Sequence, residues 1–301
     1  MSPVSTPTVH VPVMMREVLR ALDLRPGLVV VDGTLGGGGH AAKILEQIGP
    51  TGRLIGLDRD PTALERARPR LSGDNVTLVS ASYVDLPQVL PTLALSTVDR
   101  ILVDLGLSSD QLADHGRGFS FLAEGPLDLR FDATQGIPAA QLVATASEDE
   151  LAKIFADYGE DPAAHKLAAA IVKRRAQQPI LSARQLADLV EQTLGAPGSR
   201  EKHPATRIFQ ALRIAVNREL DHVQQALSTA FPQSLTPGGL LAVITFHSLE
   251  DRLVKEAFRH EDAWEVLTPR PIAPTPAEER FNPRCRSAKL RVARRAVSTT
   301  S

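Results

Sequence analysis

Cysteine is almost missing from this sequence: Cys285 stands alone among 301 residues. A single cysteine excludes an intramolecular disulfide framework and points to a reducing compartment. Aromatic side chains are scarce too, at 4% of the chain with one tryptophan and two tyrosines. Neither sign of charge is in excess, since 34 lysines and arginines face 35 acids for a formal net charge of -1. No global polyanion-binding signature exists, so any nucleic-acid contact must come from a local patch. No run approaches the ~18 consecutive apolar residues of a membrane helix, and residues 1–10 show no basic segment followed by an apolar one. The expectation is a cytoplasmic protein away from membranes. The eight histidines contain no H-x-x-x-H pair, which with one cysteine argues against a metal site. The absence of a G-x-S-x-G elbow argues against an α/β-hydrolase nucleophile.

What the chain does have is 43% apolar residues, enough for a sizeable core, and one unusual stretch. Residues 28–40 run from Leu28 through Val29, Val30 and Val31 to Asp32, then reach four consecutive glycines, Gly36 to Gly39, and His40. An apolar run bounded by turn signals predicts a parallel strand covered on both faces. Glycines lack Cβ, so backbone N–H groups can crowd against a ligand at the start of the following helix. Four in a row cost backbone entropy that a purely structural turn would not require.

Further on, the pattern predicts strands at 53–58, 76–80 and 99–104 with helical spacers between them, the rhythm of a doubly wound parallel sheet. Each of these strands ends in a polar residue, at the edge where open α/β sheets bind ligands. From 108 to 135 the chain reads as glycine-rich loop, and from 138 to 195 as consecutive short helices, two of them opened by capping boxes at Ser147/Glu150 and Ser182/Gln185. A strand pattern returns at 239–246, so an all-α module interrupts the sheet. The expected division is 1–108 and 214–301 for the sheet and 109–213 for the insertion, a place from which substrate is commonly recognised. The tail offers two more candidate strands, 264–268 and 289–293. Between Arg280 and Arg295 lie seven basic residues and no acid.

Asp58 ends the second strand 19 residues past Gly39, the distance at which a carboxylate takes the hydroxyls of an adenosine ribose. Gly36, Gly38 and Ala41 also satisfy G-x-G-x-x-A, so a nicotinamide or flavin cofactor competes at this point. Asp104, followed by Ser108, Ser109 and Gln111, favours a polar reaction instead. The exocyclic amine of cytosine is a weak nucleophile, and a carboxylate accepting its hydrogen would help it as charge develops. A strand-end aspartate can equally be a turn residue. On the helix from Pro204 onward, Thr206, Gln210, Arg213 and Asn217 share a polar stripe opposite Ile208, Leu212, Ala215 and Val216. That stripe suits a base or phosphate, or is an ordinary solvated face. The basic tail suits phosphates. Ser248 and Asp251 read as a helix start, S-x-x-D, with His247 just before it.

Taken jointly, the stretches at His10–Met15, Asp32–His40, Asp58–Pro61, Leu102–Gly106 with Ser108, Ser109 and Gln111, Arg117–Phe121, Gly125–Arg130, His203–Arg207 and Phe246–Arg252 resemble the bacterial small-subunit ribosomal RNA methyltransferase H family, also called MraW. The resemblance implies a class I, Rossmann-like S-adenosyl-L-methionine-dependent methyltransferase sheet with an inserted all-α domain. It implies N4-methylation of one cytidine, position 1402, in the decoding region of 16S ribosomal RNA within the small subunit; a homodimer is a further expectation. Residue by residue, it places Gly38, Gly39 and His40 against the methionine part of the cofactor, Asp58 on the ribose, Tyr83 near the adenine, and Asp104 and Gln111 around the reacting centre, with Asp104 catalytic. Substrate contacts fall to Arg207, Gln210, Arg213, Asn217 and His247, and no metal is implied. Two departures stand out: Asp110 replaces the family's usual proline, and Tyr83 its commoner phenylalanine. A non-catalytic RNA-binding factor with the same fold is the remaining rival.

Overall fold

The computed structural model describes residues 12–108, 111–112, 114, 116–121, 124–195 and 203–297. They form two compact units. One comprises the chain up to Gly106 together with everything from His222 onward; the other is Leu107–Asp221. The second boundary falls beyond the expected residue 213. Helix Ala205–Asn217 commits Ile208, Phe209, Ala211 and Leu212 to the helical core, and Arg213 is tied to Glu219 just past its end.

The first unit is built on seven strands: β1 Val29–Asp32, β2 Arg53–Asp58, β3 Val76–Ser80, β4 Val98–Asp104, β5 Leu235–Thr245, β6 Trp264–Val266 and β7 Lys289–Arg295. Their order is β3-β2-β1-β4-β5-β7-β6. The first five run parallel, while β7 lies antiparallel to both β5 and β6. This is the class I methyltransferase sheet that the resemblance implies. Alternate residues of each strand enter different cores: Val31, Ile55, Val103 and Val243 one, Val30, Leu54, Leu102 and Ala242 the other. Burial on both faces is why these strands read as continuous apolar runs.

Order reverses on either side of β1, which places the carboxyl ends of β1, β2 and β4 around one switch point. Helix Gly39–Ile48 follows β1, and helix Pro61–Ala67 follows β2 with Asp60 as its N-cap, accepting from the Thr62 amide at 3.0 Å. Pro61 suits the first helical position because its missing N–H would be unpaired there anyway.

The helical unit packs Ala139–Thr145, Glu148–Asp157, Ala164–Arg175, Ala183–Leu194 and Ala205–Asn217 around Leu151, Phe155, Leu167, Ile171, Leu186 and Ile208. Both expected capping boxes form: Ser147 with Glu150 and Ser182 with Gln185. Among the described residues, no helix is long and apolar enough to cross a membrane.

Candidate active site

The turn after β1 is pinned between its two neighbours. The Gly33 amide donates to the Leu102 carbonyl on β4 at 2.8 Å, and the Leu35 amide to the Leu57 carbonyl on β2 at 2.9 Å. A Cβ at Gly33 would stand 3.1 Å from the Cβ of Tyr83. Gly38 has φ 76, in the left-handed region, and a Cβ there would press on Ala67 and Leu71, each 3.1 Å away. At Gly39 a Cβ would collide with the Pro12 ring. The loop therefore needs glycine both for its turn and for close packing, and it presents the first amides of helix Gly39–Ile48 at the switch point.

Three carboxylates end the three strands around that loop. Asp58 is organised by backbone: its Oδ2 accepts from the Gly36 amide at 2.8 Å and its Oδ1 from the Asp60 amide at 2.9 Å. Burial raises its pKa, and those two amide bonds pull against the rise. Asp104 is held differently. Its own amide donates to Thr34 Oγ1 at 2.6 Å, while its side chain lies with Oδ2 3.7 Å from His40 Nδ1. Oδ1 of Asp104 is buried with no hydrogen-bond partner among the described residues. Burial, and then the neighbouring charges of Asp32 and Glu250, push its pKa well above the carboxylate range.

His40 is 6% exposed, and its Nε2 lies 2.9 Å from the Val13 carbonyl. A carbonyl only accepts, so Nε2 carries the hydrogen and Nδ1 is the nitrogen turned toward Asp104. Tyr83 follows β3, is 9% exposed, and sets its ring 5.9 Å from that of Phe231.

Asp32 was not among the expected site residues. It ends β1 at 1% exposure; Oδ1 accepts from the Thr34 amide at 3.2 Å, and Oδ2 has no hydrogen-bond partner among the described residues. Burial raises its pKa to about 7, with Asp58 adding to the rise against the Thr34 and Ala41 amides. The available signal was an acid closing an apolar valine run, since such a residue reaches the ligand edge buried.

Several expected substrate contacts have internal partners. Arg213 makes a two-pronged pair with Glu219, Nε to Oε1 at 2.8 Å and an amino group to Oε2 at 2.9 Å. Asn217 is 3% exposed; its Nδ2 donates to the Leu129 and Arg213 carbonyls and its Oδ1 accepts from the Phe131 amide. Gln210 donates to the Tyr158 carbonyl at 3.1 Å. The polar stripe is thus no continuous solvated face: helical spacing marks a side, while the 127–131 segment packs over its far end. Arg207 stays exposed, with a 3.3 Å bond to the Glu160 carbonyl. Gln111, 7% exposed in the helical unit, exchanges bonds with Ser108: Oε1 accepts from the Ser108 amide at 3.0 Å, and the Gln111 amide donates to Ser108 Oγ at 3.1 Å. Ser109 and Asp110 lie outside the described residues.

His247 caps helix Ser248–Ala257 itself, so the S-x-x-D reading of Ser248 is corrected. Its Nδ1 accepts from the Glu250 amide at 3.4 Å, its Nε2 lies 3.0 Å from Glu250 Oε1, and Glu250 Oε2 accepts from the Phe246 amide at 2.8 Å. Asp251 instead turns to β7, pairing with Arg291 at 2.6 Å and Lys289 at 3.0 Å. Burial works to raise its pKa, and these two cations hold it below the usual range.

The sheet order, the glycine cradle and the acids at three neighbouring strand ends define a class I, S-adenosyl-L-methionine-dependent methyltransferase. The cradle fits that cofactor: helix-start amides suit an amino-acid carboxylate, and unpartnered buried carboxylate oxygens suit a cationic, amine-bearing ligand. The chain belongs to the MraW methylase family, whose profile matches residues 7–296. It is 47% identical to the ribosomal RNA small subunit methyltransferase H of Thermomicrobium roseum, covering 96% of this chain and 94% of that one. Identity to the protein of the same name from Trichlorobacter lovleyi is 46%, over 94% and 97% of the two chains. With the counterpart from Cyanothece sp. it is 48%, over 95% and 94%. Family membership displaces the nicotinamide reading.

Proposed function

We propose that this protein methylates N4 of a cytidine in 16S ribosomal RNA of the small subunit, the nucleotide being position 1402. The observation that carries the reading is Asp104: a strand-end carboxylate beside the glycine cradle, with one buried oxygen left without a partner. The relatives' names support an rRNA substrate, and an aromatic amine is the acceptor that most needs such a group.

S-adenosyl-L-methionine supplies an electrophilic methyl group when bound. Gly38, Gly39 and the amides that open helix Gly39–Ile48 would hold its amino-acid end, and Asp58 its ribose. Asp104 accepts a hydrogen bond from the cytosine amine, favouring localisation of the nitrogen lone pair, and takes up the proton that N4 must lose once its new bond forms. A carboxylate whose proton affinity is raised by burial suits that task. His40, its ring braced by Val13, stands beside Asp104 with Nδ1 3.7 Å from Oδ2.

The test is to incubate the protein with labelled S-adenosyl-L-methionine and small subunits lacking the modification, then digest the RNA. Label in N4-methylcytidine is expected. Label in any other nucleoside, or none, overturns the substrate assignment.

A further inference from the structure

The seven basic residues near the C-terminus are not one patch. Four belong to β7 and are used inside the unit: Lys289 and Arg291 with Asp251, Arg294 with Glu265 at 2.8 Å, and Arg295 with the Pro232 and Ala263 carbonyls at 3.0 and 3.1 Å. The other three, Arg280, Arg284 and Arg286, are exposed. They flank Phe281, which at 88% is the most exposed large apolar side chain among the described residues.

The local build explains why this side chain stands out. Helix Pro276–Phe281 is capped by Thr275 and carries two acids in its first turn: Glu278, which takes the Met14 amide at 2.6 Å, and Glu279, which precedes Arg280. The next turn, Pro283–Ser287, buries Cys285 completely and leaves Arg284 and Arg286 outside. From Arg280 to Ala288 the chain has three arginines and no acid. Water gains nothing from an exposed phenyl ring, whereas a ring among cations matches what single-stranded nucleic acid offers: a base face to stack on and phosphates on either side.

We propose that Phe281, with Arg280, Arg284 and Arg286, is a platform for an unpaired nucleotide of the RNA substrate. This rests on the reading of the protein as an RNA methyltransferase and adds a contact made by the sheet unit, from the segment that leads into Lys289, which pairs with Thr245 at the carboxyl end of β5. Specificity for single strands follows, because a paired base has both faces covered. Cations alone would hold duplex and single strand comparably.

The test uses the full chain and a labelled single-stranded oligoribonucleotide of about 12 nucleotides, within the site sizes such surfaces cover. Phe281→Ala is expected to weaken binding about tenfold, the loss of one stacked base, while leaving duplex binding unchanged. Arg280→Glu combined with Arg286→Glu should flatten the salt dependence. Phe281→Trp, in a chain whose one native tryptophan is 2% exposed, should bind as well as the parent and lose fluorescence on adding single strand. Unchanged affinity in Phe281→Ala, or Phe281→Trp emission indifferent to RNA, overturns the proposal. Methyl transfer to small subunits by the parent alongside such a result would leave the functional reading standing. A Phe281-dependent affinity without any transfer would do the reverse.

Discussion

Asp104 and His40 face one another with Oδ2 3.7 Å from Nδ1, and the far nitrogen of the same imidazole is held by the Val13 carbonyl at 2.9 Å. The ring therefore has one orientation and one fixed donor. Asp104→Ala should lower the single-turnover transfer rate by about 10²- to 10³-fold at saturating cofactor, the usual worth of a positioned proton acceptor. Transfer at the parent rate would remove Asp104 from the chemistry.

Stability should depend on pH through Asp32. Its folded pKa, about 7, lies above the ordinary carboxylate value, so the folded chain keeps a proton that the unfolded chain has released. Stability therefore falls as pH rises from about 4 to about 7, and the penalty is complete above that window. Asp104 is displaced in the same direction. Asp32→Asn mimics the protonated acid and should flatten this slope, gaining on the order of 2–4 kcal/mol above neutrality. Urea titrations from about pH 5 to about pH 8 measure it, and parallel curves for parent and variant would contradict it.

Asp58 carries two duties, since its oxygens already hold the Gly36 and Asp60 amides. Asp58→Ala should weaken S-adenosylhomocysteine binding by about 10- to 100-fold, the range for hydrogen bonds to a charged group. Calorimetry reads this directly. Full affinity would mean that the ribose is bound elsewhere.

Arg213 and Glu219 form a largely buried pair, 12% and 8% exposed at the side chain. Arg213→Ala should destabilise the protein by about 3 kcal/mol, because it leaves a buried carboxylate unpaired. Arg213→Met with Glu219→Leu should recover most of that loss. If the single variant lost RNA affinity and no stability, the residue would belong to the substrate surface after all.

The ligand edge was legible because periodic apolar runs locate strands and a strand's last residue is read off directly. Asp58, Asp104 and the glycines fall into place that way. Asp32 carries a signal of the same kind, as the acid that closes an apolar valine run, but the glycines beside it draw the reading to the loop. The internal partners of Asn217 and Arg213 were not legible in the sequence. Helical spacing assigns a residue to a side, but Leu129 and Phe131, which cover Asn217, lie more than 80 positions away. The β7 cations read as phosphate contacts, while Asp251, 40 residues earlier than Arg291, lies against Lys289 and Arg291.

The position of β7 has a consequence for how the chain is made. The strand occupies an interior place in the sheet, between β5 and β6, yet it is translated after both. Its predecessor β5 must find β4 across more than 130 residues, with Val98 meeting Leu235. Pairings so distant in sequence form slowly. A nascent chain emerging from the ribosome thus exposes one flank of β5 as an open hydrogen-bonding edge until residues 289–295 arrive, the interval in which stalled or shortened chains are most prone to associate with one another.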